Sequence, residues 1–463
     1  MSLETDYLII GAGVSGLAFA DELLSRSDAT MTLVDKRCAP GGHWNDAYSF
    51  VKLHQPSVFY GVESTPMGRD RLETTGPNAG FMELAEGPEI LNYFHALMRD
   101  RLLESGRVRF VPNSEVLGDG GIRHLLSGDH QKIKVRRKTV DASWYTNAVP
   151  RTQTPRFLAA PEVAVCPPNE LPPLAGRFER FTVIGSGKTG MDAVVWLLEN
   201  GVPPDRIRWI LGRDAWFLNR AYTQPGDAFF EDTFSNFAAQ RRALAEASDV
   251  RDFALRLEAC GAWLRLDPDI HPDVFHAATV SEGELAQLRR ITDTARLGHV
   301  THIHPDQVQL ERGEIPADPD TLYIACTATA LPPRPVRPVF EGERITLQMV
   351  RFPQIPFSAA LCAFLEAELD SDEERNALAA PLPLPDTVSD YVRALMPDMM
   401  NRYACAKHPK VREWVSRSRL DGYSRIAAAV SPDDDRRRAI LDEVKSASMA
   451  GAANLGALMQ SLD

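Results

Sequence analysis

Two stretches of the chain share the same order of apolar and polar positions. Residues 7–10 are a short, continuous apolar run, a pattern typical of a parallel strand that is buried on both faces, and residues 181–184 are a similar run interrupted only by Thr182. A glycine-rich stretch follows each run, and apolar side chains then recur at helical spacing over residues 17–24 and 191–198. A further short apolar run comes next in both stretches. The pattern therefore predicts two strand–turn–helix–strand units of the α/β class.

The first glycine-rich stretch has the order Gly-x-Gly-x-x-Gly, at Gly11, Gly13 and Gly16. The first glycine of such a turn permits a tight bend, the second lets a pyrophosphate approach the backbone, and the third lets helix and strand pack closely. The next strand, residues 31–34, ends at Asp35, which lies 19 residues beyond Gly16. A carboxylate there accepts hydrogen bonds from an unmodified ribose and repels a 2′-phosphate. This unit is therefore expected to bind FAD or NAD rather than NADP.

A second glycine pair, Gly41-Gly42, follows the loop after this strand and precedes His43 and Trp44. In flavoprotein oxidoreductases, glycines at this point let the chain pass close to the flavin-bearing part of FAD. The alternative for Trp44 is an ordinary position in the core. FAD is therefore the expected ligand of the first unit. Its expected contacts are Gly11, Gly13, Ser15, Gly16, Asp35, Lys36, Gly42, His43 and Trp44.

The second glycine-rich stretch runs from Gly185 to Gly190 and repeats the order of the first. Its Lys188-Thr189 pair is similar to the end of a phosphate-binding P-loop. That motif requires a glycine at position 182, where this chain has Thr182. A second dinucleotide turn is therefore the better interpretation.

A cation follows the second strand of this unit, where the first unit has its carboxylate. Arg213 comes two residues after the run 207–211 and lies 23 residues beyond Gly190. A guanidinium pairs with a 2′-phosphate through charge-assisted, often bidentate hydrogen bonds. An exposed arginine after a strand is the alternative. We expect NADPH here, with contacts at Gly185, Ser186, Gly187, Lys188, Thr189, Gly190, Arg213, Arg220 and, from a later strand, Thr327.

Composition divides the rest of the chain into segments. Seven prolines between residues 150 and 174 predict an extended crossover between two domains. Residues 214–300 are predicted to be largely helical, with helices at 229–247 and 284–296. Ser358 is predicted to cap a helix that runs to residue 369.

The expected fold is α/β, with two Rossmann-like domains, a helical insertion and a helical C-terminal tail. The tail carries no recognisable chemistry, so an ancillary cap or a homodimer contact is its plain interpretation. The predicted domains are an FAD-binding domain at 1–165 plus 315–383, an NADPH-binding domain with the insertion at 175–314, and the C-terminal segment at 384–463.

Charge and composition restrict the partners. Lys and Arg number 51 against 63 Asp and Glu, a net charge of −12 that disfavours nucleic-acid binding. The basic run at 132–138 alternates with apolar residues and is predicted to be a solvated strand face. None of the six cysteines forms a Cys-x-x-Cys pair. His302 and His304 share one strand face, where two ordinary histidines are a better explanation than a metal pair.

No apolar run approaches the ~20 residues that cross a bilayer, and the acidic start of the chain does not resemble a secretory signal. A cytoplasmic protein without a membrane segment is therefore expected. The aromatic side chains of Trp216, Phe217, Phe229 and Phe230 suggest that its substrate is a small apolar molecule.

The two turns, the acidic strand end and the Gly-Gly-x-Trp stretch together resemble the class B flavin-containing monooxygenases. The strand at 321–328 resembles the strand, usually ending Ala-Thr-Gly, by which that family returns to its FAD domain, although Ala328 replaces the glycine. The resemblance covers roughly half the chain and points to an atypical bacterial branch. It implies that NADPH reduces FAD, that O2 then forms a C4a-(hydro)peroxyflavin, and that one oxygen passes to a nitrogen, sulfur or carbonyl carbon.

Two departures from the family pattern concern the reaction itself. The family's Phe-x-Gly-x-x-x-His signature should precede the second turn, but residues 174–181 contain no histidine. The family also places an asparagine beside the flavin, where this chain has His54 and Gln55. Gln55 could supply the same amide and His54 could donate a proton, and both could equally be packed loop residues.

Three functions stay open at this point. The first is an FAD- and NADPH-dependent monooxygenase that takes molecular oxygen and a small organic substrate. The second is an NADPH-dependent flavin oxidoreductase or dehydrogenase without oxygen insertion, which the missing histidine and Ala328 favour. The third is a non-catalytic nucleotide-binding or redox-sensing protein.

Overall fold

The first predicted unit forms a parallel sheet. The computed structural model describes residues 3–118, 120–145, 148–328 and 334–462. Leu3–Ile10 lies between Met31–Val34 and Ile133–Asp141, and both neighbours run parallel to it. All four residues of Met31–Val34 are buried, as a strand covered on both faces requires. The strand order is Phe340–Glu341, Arg344–Thr346, Ile133–Asp141, Leu3–Ile10, Met31–Val34 and Val108–Val111.

The second unit forms a separate parallel sheet around Arg180–Ile184. Its neighbours are Ile207–Ile210 and Thr321–Ala325, both parallel to it. The strand order is Thr294–Ala295, Ile207–Ile210, Arg180–Ile184, Thr321–Ala325 and Ala164–Cys166. The mixed α/β class with two Rossmann-like units is therefore confirmed.

Three smaller sheets accompany these two. They are Trp263–Arg265, Ala215–Asn219 and Val274–Val280; Gly313–Pro316, Gln307–Leu310, Val300–Ile303 and Leu158–Ala159; and Ser114–Val116, Ile122–His124 and His130–Gln131.

Helices cover the sheets and form the C-terminal segment. Val14–Arg26, which follows the first turn, packs along Ile355–Glu368, and the predicted helical tail is confirmed. The other α-helices are Gly87–Leu97, Leu171–Leu174, Lys188–Glu199, Phe230–Glu246, Val250–Ala259, Glu282–Leu288, Asp372–Leu378, Val388–Lys407, Pro409–Arg417, Tyr423–Ala428 and Asp435–Gln460.

The prediction that residues 214–300 are largely helical is wrong for part of that segment. It contains a three-stranded sheet built around Ala215–Asn219. The predicted helix at 284–296 spans only Glu282–Leu288. Buried packing overrides local pattern here, because Trp216 and Trp263 on adjacent strands are both fully buried.

Two further predictions need correction. Thr321–Ala325, which sequence analysis grouped with the first domain, pairs in the second sheet, and the chain rejoins the first sheet only at Phe340–Glu341 and Arg344–Thr346. The helix expected to start at Ser358 begins at Ile355. Proline is tolerated in a first helical turn because its missing N–H would lack an intrahelical partner there anyway, so Pro356 does not delay the helix.

The basic run is a strand, as predicted. Ile133–Asp141 alternates between exposed and half-buried positions before it enters the core. Lys134 lies 3.1 Å from Glu4, and Arg136 lies 3.1 Å from Asp6, on the adjacent strand. These charges are therefore matched within the sheet.

Candidate active site

The first glycine turn is closed by contacts that a side chain would destroy. Gly11 has a φ of +104°, which favours glycine. A Cβ added at Gly16 would lie 2.0 Å from the carbonyl oxygen of Gly11. Gly13 precedes the helix Val14–Arg26, which contains Ser15 and has no side-chain cap at its start. The first N–H groups of this helix are therefore available to an anion.

Asp35 lies directly against this turn. Its Oδ2 accepts a hydrogen bond of 2.7 Å from the backbone N–H of Ala12, and its Oδ1 accepts one of 2.8 Å from Arg37. The carboxylate is buried, and each oxygen keeps a further lone pair. The neighbouring Lys36 side chain is 71% exposed and lies 3.4 Å from Glu115.

The second glycine pair forms the opposite wall of the first turn. Gly41 donates a backbone hydrogen bond of 2.9 Å to Ala12. A Cβ added at Gly42 would lie 3.0 Å from the Cα of Gly13, so the two backbones face each other. Trp44 is buried and donates from Nε1 to the hydroxyl of Tyr60 at 2.8 Å.

His43, between the glycine pair and Trp44, is half-buried. Burial, together with the positive charge of Arg37, lowers the pKa of His43 to about 4. The imidazole is therefore neutral at pH 7, and it lies 4.9 Å from the Trp44 ring, measured between centroids.

The second glycine turn repeats this geometry but is more open. Gly185 has a φ of +125°, and a Cβ there would lie 2.8 Å from the carbonyl oxygen of Cys326. A Cβ at Gly190 would lie 2.1 Å from the carbonyl oxygen of Gly185. No described atom lies within 4 Å of a Cβ added at Gly187. The helix Lys188–Glu199 also starts without a side-chain cap.

A charged network joins this helix to the first unit. The Lys188 ammonium pairs with Asp192 one turn along the helix and lies 3.6 Å from Glu284. Tyr48, from the segment after the glycine pair, donates to Asp192 at 2.6 Å. Although burial opposes the charge, Asp192 and Glu284 raise the pKa of Lys188. Burial and Asp192 raise the pKa of Tyr48 well above its usual range, so its hydroxyl stays protonated.

Arg220 lies at the centre of the same network. Its side chain is fully buried, donates to the carbonyl of His54 at 2.7 Å, and pairs with Glu284 at 3.1 Å. Burial alone would raise the pKa of Glu284, but the charges of Lys188 and Arg220 lower it to about 2. The predicted contact between Arg220 and a 2′-phosphate would require this enclosed guanidinium to leave its partners.

His54 and Gln55 lie on the loop that Arg220 fixes. The side chain of His54 is exposed, and desolvation by the neighbouring protein, together with the positive charges of Lys188 and Arg220, lowers its pKa. The imidazole is therefore neutral at pH 7, which makes it a poor general acid. Gln55 is half-buried beside it.

Arg213 is engaged by a carboxylate from the C-terminal segment. Its two terminal nitrogens lie 2.9 and 3.1 Å from the two carboxylate oxygens of Asp386. The side chains of Arg213 and Asp386 are 47% and 50% exposed. Arg213 thus follows the second strand of this unit as predicted, and its nucleotide contact stays a prediction.

Thr327 borders a cleft of about 250 Å³ at the carboxyl end of Thr321–Ala325. Ligands of open α/β sheets bind outside this end of the strands. The cleft is lined by Pro150, Gln153, Thr154, Pro155, Arg156, Ala325, Thr327 and Ala328.

The helix Ile355–Glu368 starts at a buried polar junction. Ser358, expected as its cap, instead accepts hydrogen bonds from the backbone N–H groups of Val350 and Arg351 at 3.1 and 3.2 Å. The Arg351 guanidinium lies 2.7 Å from Asp421, and both side chains are almost fully buried. The loop before the helix is therefore fixed to the C-terminal segment.

Three of the four aromatic side chains that suggested a substrate pocket are core residues, and the fourth, Phe229, is half-buried. Trp216, Phe217 and Phe230 are all buried, and Phe230 stacks on Phe234 with ring centroids 4.5 Å apart. Because these buried side chains pack against protein, they no longer support the expectation of an apolar substrate.

The two histidines on one strand face stack on each other. The ring centroids of His302 and His304 are 3.9 Å apart. Within 3–118, 120–145, 148–328 and 334–462, no group of three or more His, Cys, Asp or Glu side chains is arranged to hold a metal. Across the same ranges, no helix has the length and apolarity needed to traverse a bilayer.

Sequence reasoning missed several residues that the structure brings to the two turns. Asp192 could have been found, since it lies four residues after Lys188 on the same helix face. Tyr48, Glu284 and Asp386 carry no such local signal, because each comes from a distant part of the chain.

Comparisons with known proteins agree with this architecture. The family of NAD(P)-binding Rossmann-like domains matches residues 9–62. Cyclohexanone monooxygenase from Rhodococcus sp. Phi1, solved bound to NADP+, is similar in fold, with a TM-score of 0.50 and 12% identity over 97% of this chain and 99% of that one.

Sequence relatives are much closer. Uncharacterized proteins of Mycobacterium tuberculosis and Mycobacterium bovis are each 44% identical over 420 residues, which are 91% of this chain and 78% of theirs. The chain therefore belongs to the family of these mycobacterial proteins, and its two-unit fold is similar to that of cyclohexanone monooxygenase.

Proposed function

We propose that the protein is an FAD-dependent, NADPH-reduced monooxygenase that oxygenates a small organic molecule. The proposal rests on two glycine turns, each followed by a helix without a side-chain cap, and on the opposite charges of the residues that follow the next strands. Asp35 lies at the first turn and Arg213 follows the equivalent strand of the second unit. Opposite charges at equivalent positions suit two different dinucleotides.

The first turn fits the adenosine and pyrophosphate part of FAD. The uncapped N–H groups after Gly13 would hold the pyrophosphate, and Asp35 would accept from the ribose. Gly42 leaves the opposite wall free of a side chain. Bound FAD would supply hydride acceptance and oxygen activation, chemistry that the protein's own side chains lack.

The second turn fits an exchangeable nucleotide. The start of Lys188–Glu199 is uncapped, and the space beside Gly187 is open among the described residues. The cleft at Thr327 also includes Ala325, the last residue of the strand Thr321–Ala325. These features support NADPH as the ligand of this unit.

The loop at His54 and Gln55 is the part of the chain suited to the reaction. Arg220 holds this loop through the His54 carbonyl, and Glu284 holds Arg220 in turn. The Gln55 amide would orient a substrate or oxygen species by hydrogen bonding. His54, neutral at pH 7, would donate or accept a hydrogen bond rather than transfer a proton.

The second candidate is an NADPH-dependent flavin oxidoreductase without oxygen insertion. It is favoured by the absence of the histidine signature before the second turn and by Ala328 beside the cleft. Both candidates use the same two turns and differ only in the fate of oxygen.

One assay separates them. Purified protein is supplied with NADPH, isotope-labelled O2 and panels of amines, sulfides and ketones, while NADPH oxidation, peroxide and product mass are measured. The proposal expects bound FAD, a preference for NADPH over NADH, and labelled oxygen in a product. NADPH oxidation that yields only reduced acceptor or peroxide with every panel would favour the second candidate, and a protein that binds no FAD would refute both.

A further inference from the structure

Three distant segments converge on the carboxylate of Asp386. Arg213 follows a strand of the second Rossmann-like unit, and His276 lies on Val274–Val280 of a neighbouring sheet. Asp386 itself precedes the helix Val388–Lys407. Both terminal nitrogens of Arg213 contact the carboxylate, and Nε2 of His276 lies 2.7 Å from its Oδ1.

A local backbone irregularity presents His276 to this carboxylate. On the paired strands, Trp216 lies opposite Phe275 and Leu218 lies opposite Thr279, so three residues bulge against one. Ala277, inside the bulge, has a φ of +55°, a strained conformation for a residue with a Cβ. Bulges of this kind re-aim side chains, and here the exposed His276 faces Asp386 beside Arg213.

The main chain of Asp386 is fixed although its side chain is half-exposed. Its carbonyl accepts a hydrogen bond of 3.0 Å from Phe275, and the next residue, Thr387, caps the following helix. The carboxylate can therefore rotate into solvent without unfolding its surroundings. Hydrogen bonds from Arg213, joined by His276, lower the pKa of Asp386 to about 2, so the group is an anion at pH 7.

A guanidinium and an imidazole that share one oxyanion form a two-sided anion site. Arg213 provides a planar fork that fits carboxylate and phosphate alike. Nε2 of His276 contacts the same carboxylate oxygen, Oδ1 of Asp386, as one nitrogen of Arg213. A phosphate, which has several acceptor oxygens, could bind both side chains in the same way. The site lies beyond the strand end where sequence analysis placed the 2′-phosphate of NADPH.

We propose that Arg213 and His276 together bind the 2′-phosphate of NADPH, and that Asp386 is an internal competitor that occupies this site in the absence of nucleotide. The inference rests on the proposed use of NADPH by the second turn. The 2′-phosphate must displace the Asp386 carboxylate, whereas NADH, which has no such phosphate, has no need to. Asp386 therefore weakens NADPH binding selectively and sets the preference between the two nucleotides.

The test compares dissociation constants of NADPH and NADH for the holoenzyme and single variants by isothermal titration. Asp386→Asn is expected to tighten NADPH binding about two- to fivefold, the range for releasing an arginine from an exposed carboxylate, with a much smaller change for NADH. His276→Ala is expected to weaken NADPH binding severalfold and to leave the NADH constant close to its original value. Asp227→Asn, which removes another exposed carboxylate paired with an arginine, is the charge-matched control and should change neither constant.

The outcomes separate this inference from the proposed function. If the unmodified protein binds neither nucleotide, or prefers NADH, the use of NADPH itself fails. If it prefers NADPH but Asp386→Asn changes neither constant, or tightens both nucleotides equally, Asp386 is not a selective competitor. If His276→Ala leaves NADPH binding unchanged, the histidine is not part of the phosphate site.

Discussion

Glu284 holds together the charged network between the two units, and its replacement by glutamine tests that network. The carboxylate lies between the Arg220 guanidinium at 3.1 Å and the Lys188 ammonium at 3.6 Å. The side chain of Arg220 is fully buried and that of Glu284 is 10% exposed. Glu284→Gln keeps the shape and an oxygen that can accept from the backbone N–H of Ser281, so the change removes mainly the charge.

The expected loss of unfolding free energy follows from the pKa of Glu284. A shift from 4.5 to about 2 corresponds to about 3 kcal/mol of unfolding free energy at pH 7. The same size is expected when one partner of a buried ion pair is lost, because the remaining charges lack compensation. Glu284→Gln should therefore lower the free energy of unfolding by about 3 kcal/mol at pH 7.

The pH dependence provides a second, independent readout. Because the folded pKa of Glu284 is depressed, its contribution is complete above pH 4.5 and is lost as the pH falls towards 2. The difference in unfolding free energy between the original protein and Glu284→Gln should therefore decrease by about 2 kcal/mol from pH 7 to pH 3. Urea unfolding followed by tryptophan fluorescence at several pH values measures both quantities.

Glu443→Gln is the matched control, since Glu443 pairs with Arg242 but is 51% exposed. Its removal should cost less than about 1 kcal/mol. A loss at Glu284→Gln no larger than that of the control, or a gap that stays constant between pH 7 and pH 3, would refute the electrostatic account of the network.

Three further predictions concern a buried acid, the first glycine turn and the loop at Gln55. Burial raises the pKa of Glu63 to about 6, so its carboxyl group should cost about 2 kcal/mol of unfolding free energy as the pH rises from about 3.5 to about 7. Urea titrations of Glu63→Gln should lack this loss. Gly16→Ala places a Cβ 2.0 Å from the Gly11 carbonyl and should abolish retention of FAD, and a flavin absorbance at the original stoichiometry would contradict this. Gln55→Ala should leave NADPH-driven flavin reduction intact but divert oxygen to peroxide, whereas the control Gln131→Ala, on an exposed edge strand, should not. If Gln55→Ala releases no more peroxide per NADPH than the original protein, Gln55 does not orient the oxygen species.

The elements that sequence analysis predicted well are those specified by residues close together in the chain. The strand–turn–helix units follow from glycine spacing, because Gly16 and Gly190 must approach the carbonyls of Gly11 and Gly185 five residues earlier. The fold class therefore follows from local geometry. The basic strand at 132–138 was predictable for the same reason, since alternation is a local property.

The elements that were missed depend on distant contacts. Ala215–Asn219 forms a strand because it pairs with segments about 50 and 60 residues away, and such pairing has no signature in its own five residues. The charged network has the same origin, since Tyr48, Asp192 and Glu284 meet only after both units have folded. Arg220 was assigned wrongly for the same reason. Its position after a strand suggested a contact with a ligand, but its side chain is buried and paired with Glu284.

The two turns differ in one respect that bears on how each ligand is held. At the first turn, a Cβ on Gly13 would lie 3.6 Å from the Cα of Gly42, so the chain itself forms a second wall there. At the second turn, the space beside Gly187 is open among the described residues, and the adjacent strand end borders a cleft. Protein therefore packs more closely around the first turn than around the second, and we expect a ligand of the first turn to dissociate more slowly. The geometry is therefore the one expected if FAD stays bound while NADPH exchanges.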